Sequence, residues 1–244
     1  MSDIHLTLDR SNPWYNRCKD LYWAGVKKWK GRVIIGMNDI GGEMDVVASL
    51  IGTERLLYSL IDEPDQVARL CEEVHNIWHS VYWEFMSILS ENNPAFADWP
   101  GLLSPGPYYT QQCDFSYMIG PDSFEKYVYP YLKQTADRLD HTLYHLDGKG
   151  ALIHLDKLLS IEKIDAVQWV PGDGEATGYK WIDVYRKIRK AGRKMQFIGS
   201  HSDFIEVTDD LGSEGFYFNT WGNTGQLHNL FDRFKVDGEP SYRM

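Results

Sequence analysis

Two side chains suited to acid–base or metal chemistry stand close together in the sequence, at His145 and Asp147. The run His141–Leu146 is predicted to be a β-strand, and residues i and i+2 of an extended chain face the same side. Both lie at the carboxyl end of this strand, where α/β enzymes carry their active sites. An imidazole and a carboxylate can bind a metal ion or form a hydrogen-bonded acid–base pair. The alternative is that Asp147 caps the helix that follows.

Other predicted strand ends supply further candidates by the same positional argument. His201 is a candidate catalytic residue, because it would bring a second imidazole towards His145. The candidate substrate-binding residues are polar or aromatic side chains at strand ends or in a loop: Asn38, Asp39, Trp99, Tyr117, Gln168, Trp169, Asn219 and Trp221. Asp114 and Tyr108–Tyr109 are candidates for a lid or a pocket wall. For each, the alternative is an ordinary loop residue or a helix cap.

The elements that must position these residues alternate between short β-rich runs and longer helical runs. Six strands are predicted: Arg32–Asn38, Phe96–Trp99, His141–Leu146, Asp165–Val170, Lys194–Gly199 and Gly215–Thr220. Helices are predicted at 15–29, 43–51, 63–90, 121–138, 151–160, 181–190, 203–211 and 226–234, and Ser104–Gln112 is predicted to be a loop. This alternation predicts a parallel sheet.

Two architectures share that pattern. An open doubly wound sheet usually carries a Gly-rich phosphate loop after its first strand, and the adjacent Gly41 and Gly42 do not match that spacing. A barrel that lacks its first strands fits the alternation equally well. We expect residues 1–244 to form one domain, with residues 1–30 as a helical extension.

Composition excludes several classes of function. The formal net charge is −10 and the longest basic run is Lys27–Lys30, so a nucleic-acid-binding surface is not expected. The three cysteines lie far apart, which argues against a disulfide framework and favours the cytoplasm. No apolar run approaches the roughly 20 residues that span a membrane, and no secretory signal is recognised at the N-terminus.

Four stretches resemble the uroporphyrinogen decarboxylase superfamily. They are GRVIIGMNDIGGEMDVVASLIGTERLLYSLIDEPDQV up to Val67, Asp114–Leu132, the region from His141 through VQWVPG, and Lys194–Ser202. The resemblance covers about residues 32–222. It implies an α/β fold of the TIM (β/α)₈ type, entered at about the third strand, with the first βα units absent or replaced by residues 1–30.

The resemblance also separates two reactions. The catalytic Asp and the Arg residues of the decarboxylases would lie in the absent part, their Tyr falls at Ala48–Ser49, and their late His falls at Trp221–Asn223. The sister branch transfers methyl groups from corrinoid proteins and holds zinc through His-x-Cys and a later Cys. Here the motif is His145-Leu146-Asp147, and no Cys follows Cys113.

The leading expectation is therefore corrinoid-linked methyl transfer, with the corrinoid (cobalamin) carried by a partner protein and a small or tetrapyrrole-derived ligand at the barrel mouth. The alternatives are decarboxylation of uroporphyrinogen or another anionic substrate, and a non-catalytic binding subunit. Zinc is not expected, because a third ligand beside His145 and Asp147 would have to come from a residue such as His201 or Glu43. An incomplete barrel would leave open edges, which a helix or a second copy of the chain would cover.

Overall fold

The computed structural model describes residues 4–235, and within them the chain is an α/β protein built on a five-stranded parallel sheet. A short antiparallel pair, β1 and β2, precedes that sheet. The strands are β1 (Phe96–Ala97), β2 (Leu103–Ser104), β3 (Tyr108–Gln112), β4 (His141–Asp147), β5 (Ala166–Val170), β6 (Lys194–Ser200) and β7 (Phe216–Trp221).

The helices precede β1, connect successive strands or, in the case of α10, follow β7. They are α1 (Pro13–Trp29), α2 (Glu43–Ile51), α3 (Thr53–Asp62), α4 (Pro64–Leu89), α5 (Pro121–Tyr127), α6 (Tyr129–Arg138), α7 (Leu155–Leu159), α8 (Ile182–Lys190), α9 (His201–Leu211) and α10 (Thr224–Phe234). Three 3₁₀ segments, Asp114–Met118, Lys149–His154 and Gly178–Trp181, follow the ends of β3, β4 and β5. None of the helices between residues 4 and 235 is long and apolar enough to cross a membrane.

The sheet order follows the chain from β3 to β7, and every neighbouring pair is parallel. The strand register places five residues side by side across the sheet: Gln112, His145, Gln168, Gln196 and Tyr217. Because side chains alternate along a strand, these five share one side, which we call the polar face. The register therefore predicts contacts along this row.

The opposite face of the sheet is the main core. Tyr144, Leu146, Val167, Trp169 and Phe197 are almost fully buried there, packed with apolar residues of the connecting helices. At about 25 cal/mol per Å² of apolar surface, this burial is the main stabilising term for the sheet. A second cluster joins α1 and α4 to the outer side of β3. The helices thus cover one side of the sheet and leave the polar face to the loops.

The segment between β1 and β2 lies over the polar face. The Pro100 carbonyl accepts a hydrogen bond from Gln196 Nε2 at 3.1 Å, and the Gly101 carbonyl accepts one from Tyr217 Oη at 3.3 Å. The Trp99 ring stands edge-on to the His145 ring, with centroids 5.1 Å apart. The β1–β2 loop thus holds its residues against the middle of the row.

The predicted strand Arg32–Asn38 is wrong, since this segment begins with a bend and joins neither sheet of the described residues. Its backbone groups bond elsewhere: Asn93 both donates to the Ile35 carbonyl and accepts from the Ile35 amide, and the Met37 amide donates to the Ala97 carbonyl. An apolar run whose backbone groups bond a side chain and one residue at the end of β1 needs no ladder of hydrogen bonds to a neighbouring strand.

The predicted loop Ser104–Gln112 is also wrong, because it contains β2 and β3. Its buried polar groups have partners outside the segment: the Thr110 backbone amide donates to Asp98 at 2.6 Å, and the Gln111 side chain donates to the Leu132 carbonyl at 3.2 Å. The helix predicted over residues 121–138 breaks at Val128 into α5 and α6. Pro130 has no N–H and would clash with the preceding turn of a continuous helix.

The strands predicted in the second half of the chain are confirmed to within one or two residues as β4, β5, β6 and β7. Phe96–Trp99 is strand only at its first two residues. Between residues 4 and 235 the sheet does not close on itself, since β3 and β7 each have one neighbour.

Candidate functional site

Three potential ligand side chains meet at the carboxyl end of β4. One ligand atom each from Asp114, His145 and Asp147 lies within 4.8 Å of the other two. His145 Nε2 is 4.0 Å from Asp114 Oδ1, which is too far for a hydrogen bond but leaves room for a cation between the two atoms. The His145 side chain is 13% exposed and that of Asp114 is 58% exposed, so the cluster opens to solvent on the Asp114 side.

A chain of hydrogen bonds along the polar face determines which ring nitrogen of His145 carries a hydrogen. The Pro100 carbonyl can only accept, so Gln196 must present its NH₂ group to it and its oxygen to Gln168. Gln168 therefore donates from Nε2 to Gln196 Oε1 at 2.7 Å and turns its own oxygen towards His145 Nδ1. His145 Nδ1 must carry the hydrogen, which leaves a lone pair on Nε2 whenever the ring is neutral.

Asp114 is brought to the cluster by the 3₁₀ segment after β3. The Asp45 carboxylate of α2 accepts from the amides of Asp114 (3.1 Å) and Phe115 (2.8 Å), and so caps this segment. Burial raises the pKa of Asp45 to about 6, although these backbone hydrogen bonds oppose the shift. His154, from the segment after β4, lies within 3.1 Å of the carbonyls of Ser116 and Ile119.

Tight packing locks the same two segments together. The ring of Tyr117 lies over Gly148 and Gly150, where an added Cβ would come within 2.7 Å and 2.9 Å of its ring atoms. Gly148 also has φ +77° and ψ 145°, a conformation essentially limited to glycine. The segments that carry Asp114 and follow Asp147 are thus held at contact distance.

The electrostatics of the cluster are dominated by negative charge. Burial raises the pKa of Asp114, the nearby His145 lowers it, and the carboxylates of Asp147 and Asp39 raise it further. Within residues 4–235, the side chains of Asp114 and Asp147 accept no hydrogen bond. Asp147 does not cap the following segment either, since Gly148 is at the cap position without a side-chain bond. The carboxylates therefore have no hydrogen-bond donor among these residues, and solvent reaches the cluster from the Asp114 side.

The predicted hydrogen bond between His145 and Asp147 is wrong. His145 Nδ1 is bonded to Gln168, and Nε2 faces Asp114. Gln168, predicted to bind substrate, is fully buried and orients His145 instead.

Asp39 lies beside the cluster and is fixed in place. Its carboxylate accepts from the Gly41 amide at 2.7 Å and from Tyr109 Oη and Gln112 Nε2, both at 3.1 Å. The neighbouring Asn38 bonds Tyr22 of α1, so its side chain is engaged with the N-terminal helix.

Exposed aromatic rings surround the carboxyl ends of the strands. Trp99 is 38% exposed, Tyr117 50% and Trp221 57%. Asn219 and Trp221 are both exposed and share a side of β7, opposite Ile198 and Ser200 of β6. We call Trp99, Tyr117 and Trp221 the aromatic rim.

The structure does not bring Trp169, His201 or Glu43 to the cluster. Trp169 points into the main core, where its ring contacts Trp181 at 5.1 Å. His201 begins α9 with a buried Nε2 that has no partner among the described residues. Glu43 is buried against His75 of α4, with Oε1 2.8 Å from Nδ1.

The largest cavity described lies at the opposite end of the sheet. It measures about 470 Å³ and is lined by residues at the amino ends of the strands, including Tyr108, Leu143, Ala166 and Phe216. A histidine at the carboxyl end of a strand is expected from the sequence to project into the largest cavity, but His145 does not line this one, so that expectation is wrong.

The site residues that the sequence did not reveal are Asp114 as a ligand, and Gln196 and Pro100 as residues that support His145 through hydrogen bonds. Asp114 follows β3, and the failure to predict that strand hid its position at a strand end. The signal was present in Gln168 and Gln196: each lies in the middle of a predicted strand of the parallel sheet, where an unpaired buried amide is costly.

Comparison of the chain with protein-family models, curated proteins and solved structures finds no match.

Proposed function

We propose that this chain is a cytoplasmic enzyme of the uroporphyrinogen decarboxylase superfamily that takes part in corrinoid-linked methyl transfer at the carboxyl end of its sheet. The observation that carries the proposal is the cluster of Asp114, His145 and Asp147 beside an exposed aromatic rim. The three free cysteines fit a reducing compartment.

We also propose that the five parallel strands are consecutive units of a TIM-type barrel whose first units are absent or replaced. Strands that neighbour each other in chain order, with right-handed crossovers, place all connecting helices on one face, as a barrel requires. A doubly wound sheet instead reverses its strand order near the middle. The cluster then occupies the end at which barrel enzymes bind substrate.

The charge at the site favours methyl transfer over decarboxylation. Binding of a polycarboxylate needs cationic side chains, and no Lys or Arg among residues 4–235 contacts the cluster. Lys149, close along the chain, is paired with Glu175 at 2.6 Å and points to solvent. Three carboxylates, Asp39, Asp114 and Asp147, would repel an anionic substrate.

The thiolate-bound zinc of the methyltransferase branch does not fit these residues. Cys71 and Cys113 are buried, burial raises the pKa of both thiols, and neither belongs to the cluster. The aromatic rim does fit a large flat ligand presented by a partner protein, because aromatic faces stack on such ligands at the edge of a pocket.

A bound corrinoid would supply the methyl group and keep both electrons of the bond that breaks. The acceptor must then offer a lone pair to the methyl group, and an acceptor that begins neutral, such as a thiol or a catechol, loses its proton as the new bond forms. The compensating positive charge, a proton or a cation, is held among Asp114, His145 and Asp147. Trp99 packs edge-on against His145, with ring centroids 5.1 Å apart.

Titration with methylcobalamin tests this function. We expect saturable quenching of tryptophan fluorescence, a binding constant weakened about tenfold by Trp99→Leu, and methyl loss to added thiol or catechol that His145→Gln abolishes. Trp83→Leu is the matched control, because Trp83 is 41% exposed on α4. Equal effects of the two Trp substitutions, or no saturable binding, would reject the proposal; binding without turnover would make the chain a binding subunit.

A further inference from the structure

The ligand set of the cluster at the carboxyl end of β4 differs from that of a zinc–thiolate site. Its three ligand side chains include no cysteine. It offers one imidazole nitrogen and two carboxylates. Donors of this kind suit divalent ions that prefer oxygen and nitrogen, such as Mn²⁺, rather than ions that need soft sulfur ligands.

We infer that Asp114, His145 and Asp147 bind one divalent cation of the Mn²⁺ type, and that the acceptor of the proposed methyl transfer coordinates it through oxygen. The reaction in this statement rests on the proposed function, whereas the cation site rests on geometry alone. Three protein ligands leave coordination positions open for water or substrate.

The orientation of His145 supports this inference independently of the carboxylates. The bonds from Pro100 through Gln196 and Gln168 force the hydrogen onto Nδ1, so the Nε2 lone pair points towards Asp114. Metal-binding histidines are commonly held in this way, by an acceptor on the nitrogen that does not bind the metal. A neutral imidazole lone pair that faces a carboxylate at 4.0 Å is repulsive unless a cation or a proton lies between them.

The distances and the surroundings agree with a cation. Ligand atoms of one coordination sphere, each about 2.0–2.2 Å from the metal, are separated by roughly 3–4.4 Å. The three ligand atoms here lie within 4.8 Å of one another, so a small inward movement completes the sphere. The absence of other hydrogen bonds to Asp114 and Asp147 among residues 4–235 leaves their oxygens available.

Two properties distinguish this site from a simple acidic patch. Its imidazole is 87% buried on the polar face of the sheet, and it is oriented by residues outside the cluster. Its carboxylates come from two different segments, which Tyr117 clamps together over Gly148 and Gly150.

A titration of metal-free protein with Mn²⁺ tests the inference. Binding is measured as the loss of the electron paramagnetic resonance signal of free Mn²⁺. We expect one ion per chain, and Asp114→Asn and Asp147→Asn should each weaken binding at least tenfold. Asp165→Asn is the matched control, because Asp165 also pairs with a histidine, His141, but at the amino end of the sheet. No binding at millimolar Mn²⁺, or an equal loss in Asp165→Asn, would overturn the site.

Substitutions of Gln168 test the orientation of the imidazole. Gln168→Leu should weaken Mn²⁺ binding about tenfold to a hundredfold, as expected when the partner of a ligand histidine is lost. Gln168→Glu keeps an acceptor for Nδ1–H and should retain binding, a rescue that a purely structural role of Gln168 does not predict. Unchanged binding in Gln168→Leu would contradict the orientation.

The two proposals can fail separately. Methylcobalamin binding without Mn²⁺ binding would leave the proposed function standing and remove the cation. Mn²⁺ binding without methylcobalamin binding would leave the cation site standing and reject the proposed function. Methyl transfer to thiol but not to catechol in the Mn²⁺-loaded protein would reject the oxygen-bound acceptor.

Discussion

Asp98 shows how a single buried carboxylate supports the edge of the sheet. It accepts the Thr110 amide of β3, a bond that a neighbouring strand would otherwise provide, while its Oδ1 has no partner among the described residues. Burial raises its pKa to about 6, against the opposing effect of its hydrogen bonds. The folded protein thus keeps this proton to a higher pH than the unfolded chain, and the contribution of Asp98 to stability falls as pH rises from about 4 to about 6.

Asp98→Asn should therefore gain stability relative to the wild type as pH rises through that interval, by up to about 1.4 kcal/mol per pH unit. Burial lowers the pKa of His79 to about 3, which gives the opposite slope, so only the difference between variant and wild type isolates Asp98. Urea unfolding at pH 4.5 and 7.5 measures it, with Asp20→Asn on the exposed side of α1 as control. If the difference in unfolding free energy between Asp98→Asn and the wild type were the same at both pH values, the prediction would be contradicted.

The 3₁₀ segment Asp114–Met118 is the element on which the site depends most. Gly150→Ala would place a Cβ 2.9 Å from both the ring and the carbonyl oxygen of Tyr117 and displace this segment. We expect a loss of about 1–3 kcal/mol in unfolding free energy and Mn²⁺ binding weakened about tenfold.

Gly120→Ala is the matched control for that element, because its added Cβ meets nothing within 4 Å and its φ of −80° suits alanine. Chemical unfolding and Mn²⁺ titration of both variants are the measurements. Wild-type Mn²⁺ affinity in Gly150→Ala would show that the clamp does not position Asp114.

The same element explains which parts of the site could be predicted from sequence. Strands β4 to β7 are apolar runs with turn residues at their ends, so they and the strand-end position of His145 and Asp147 follow from local pattern. Strand β3 carries Thr110, Gln111 and Gln112, whose burial depends on Asp98, Leu132 and Asp39 far away in the chain. No local signal in the sequence reveals such partners. Because β3 is predicted to be a loop, Asp114 is not recognised as a residue that follows a strand end.

At the scale of the molecule, the polar face of the sheet is divided into two regions by the β1–β2 loop. The carboxyl end carries the Asp114, His145 and Asp147 cluster, and the amino end carries the cavity of about 470 Å³. Within residues 4–235 the free edge of β7 has no neighbouring strand, so coverage of an edge by a second copy remains a prediction. The proposed function requires that the larger cavity is not where methylcobalamin or the cation binds.

Ala166→Leu tests that requirement, because Ala166 lines the cavity beside Leu143 of β4 and Lys194 of β6. It stands two residues before Gln168, about 7 Å along the strand, so added carbon atoms fill the cavity and leave the hydrogen bonds to His145 intact. We expect stability to rise by about 0.5–2 kcal/mol and both Mn²⁺ and methylcobalamin affinities to stay within twofold of wild type. If Ala166→Leu abolishes methylcobalamin binding while Trp99→Leu does not, the ligand binds at the amino end of the sheet. The cluster of Asp114, His145 and Asp147 would then not be the site of methyl transfer.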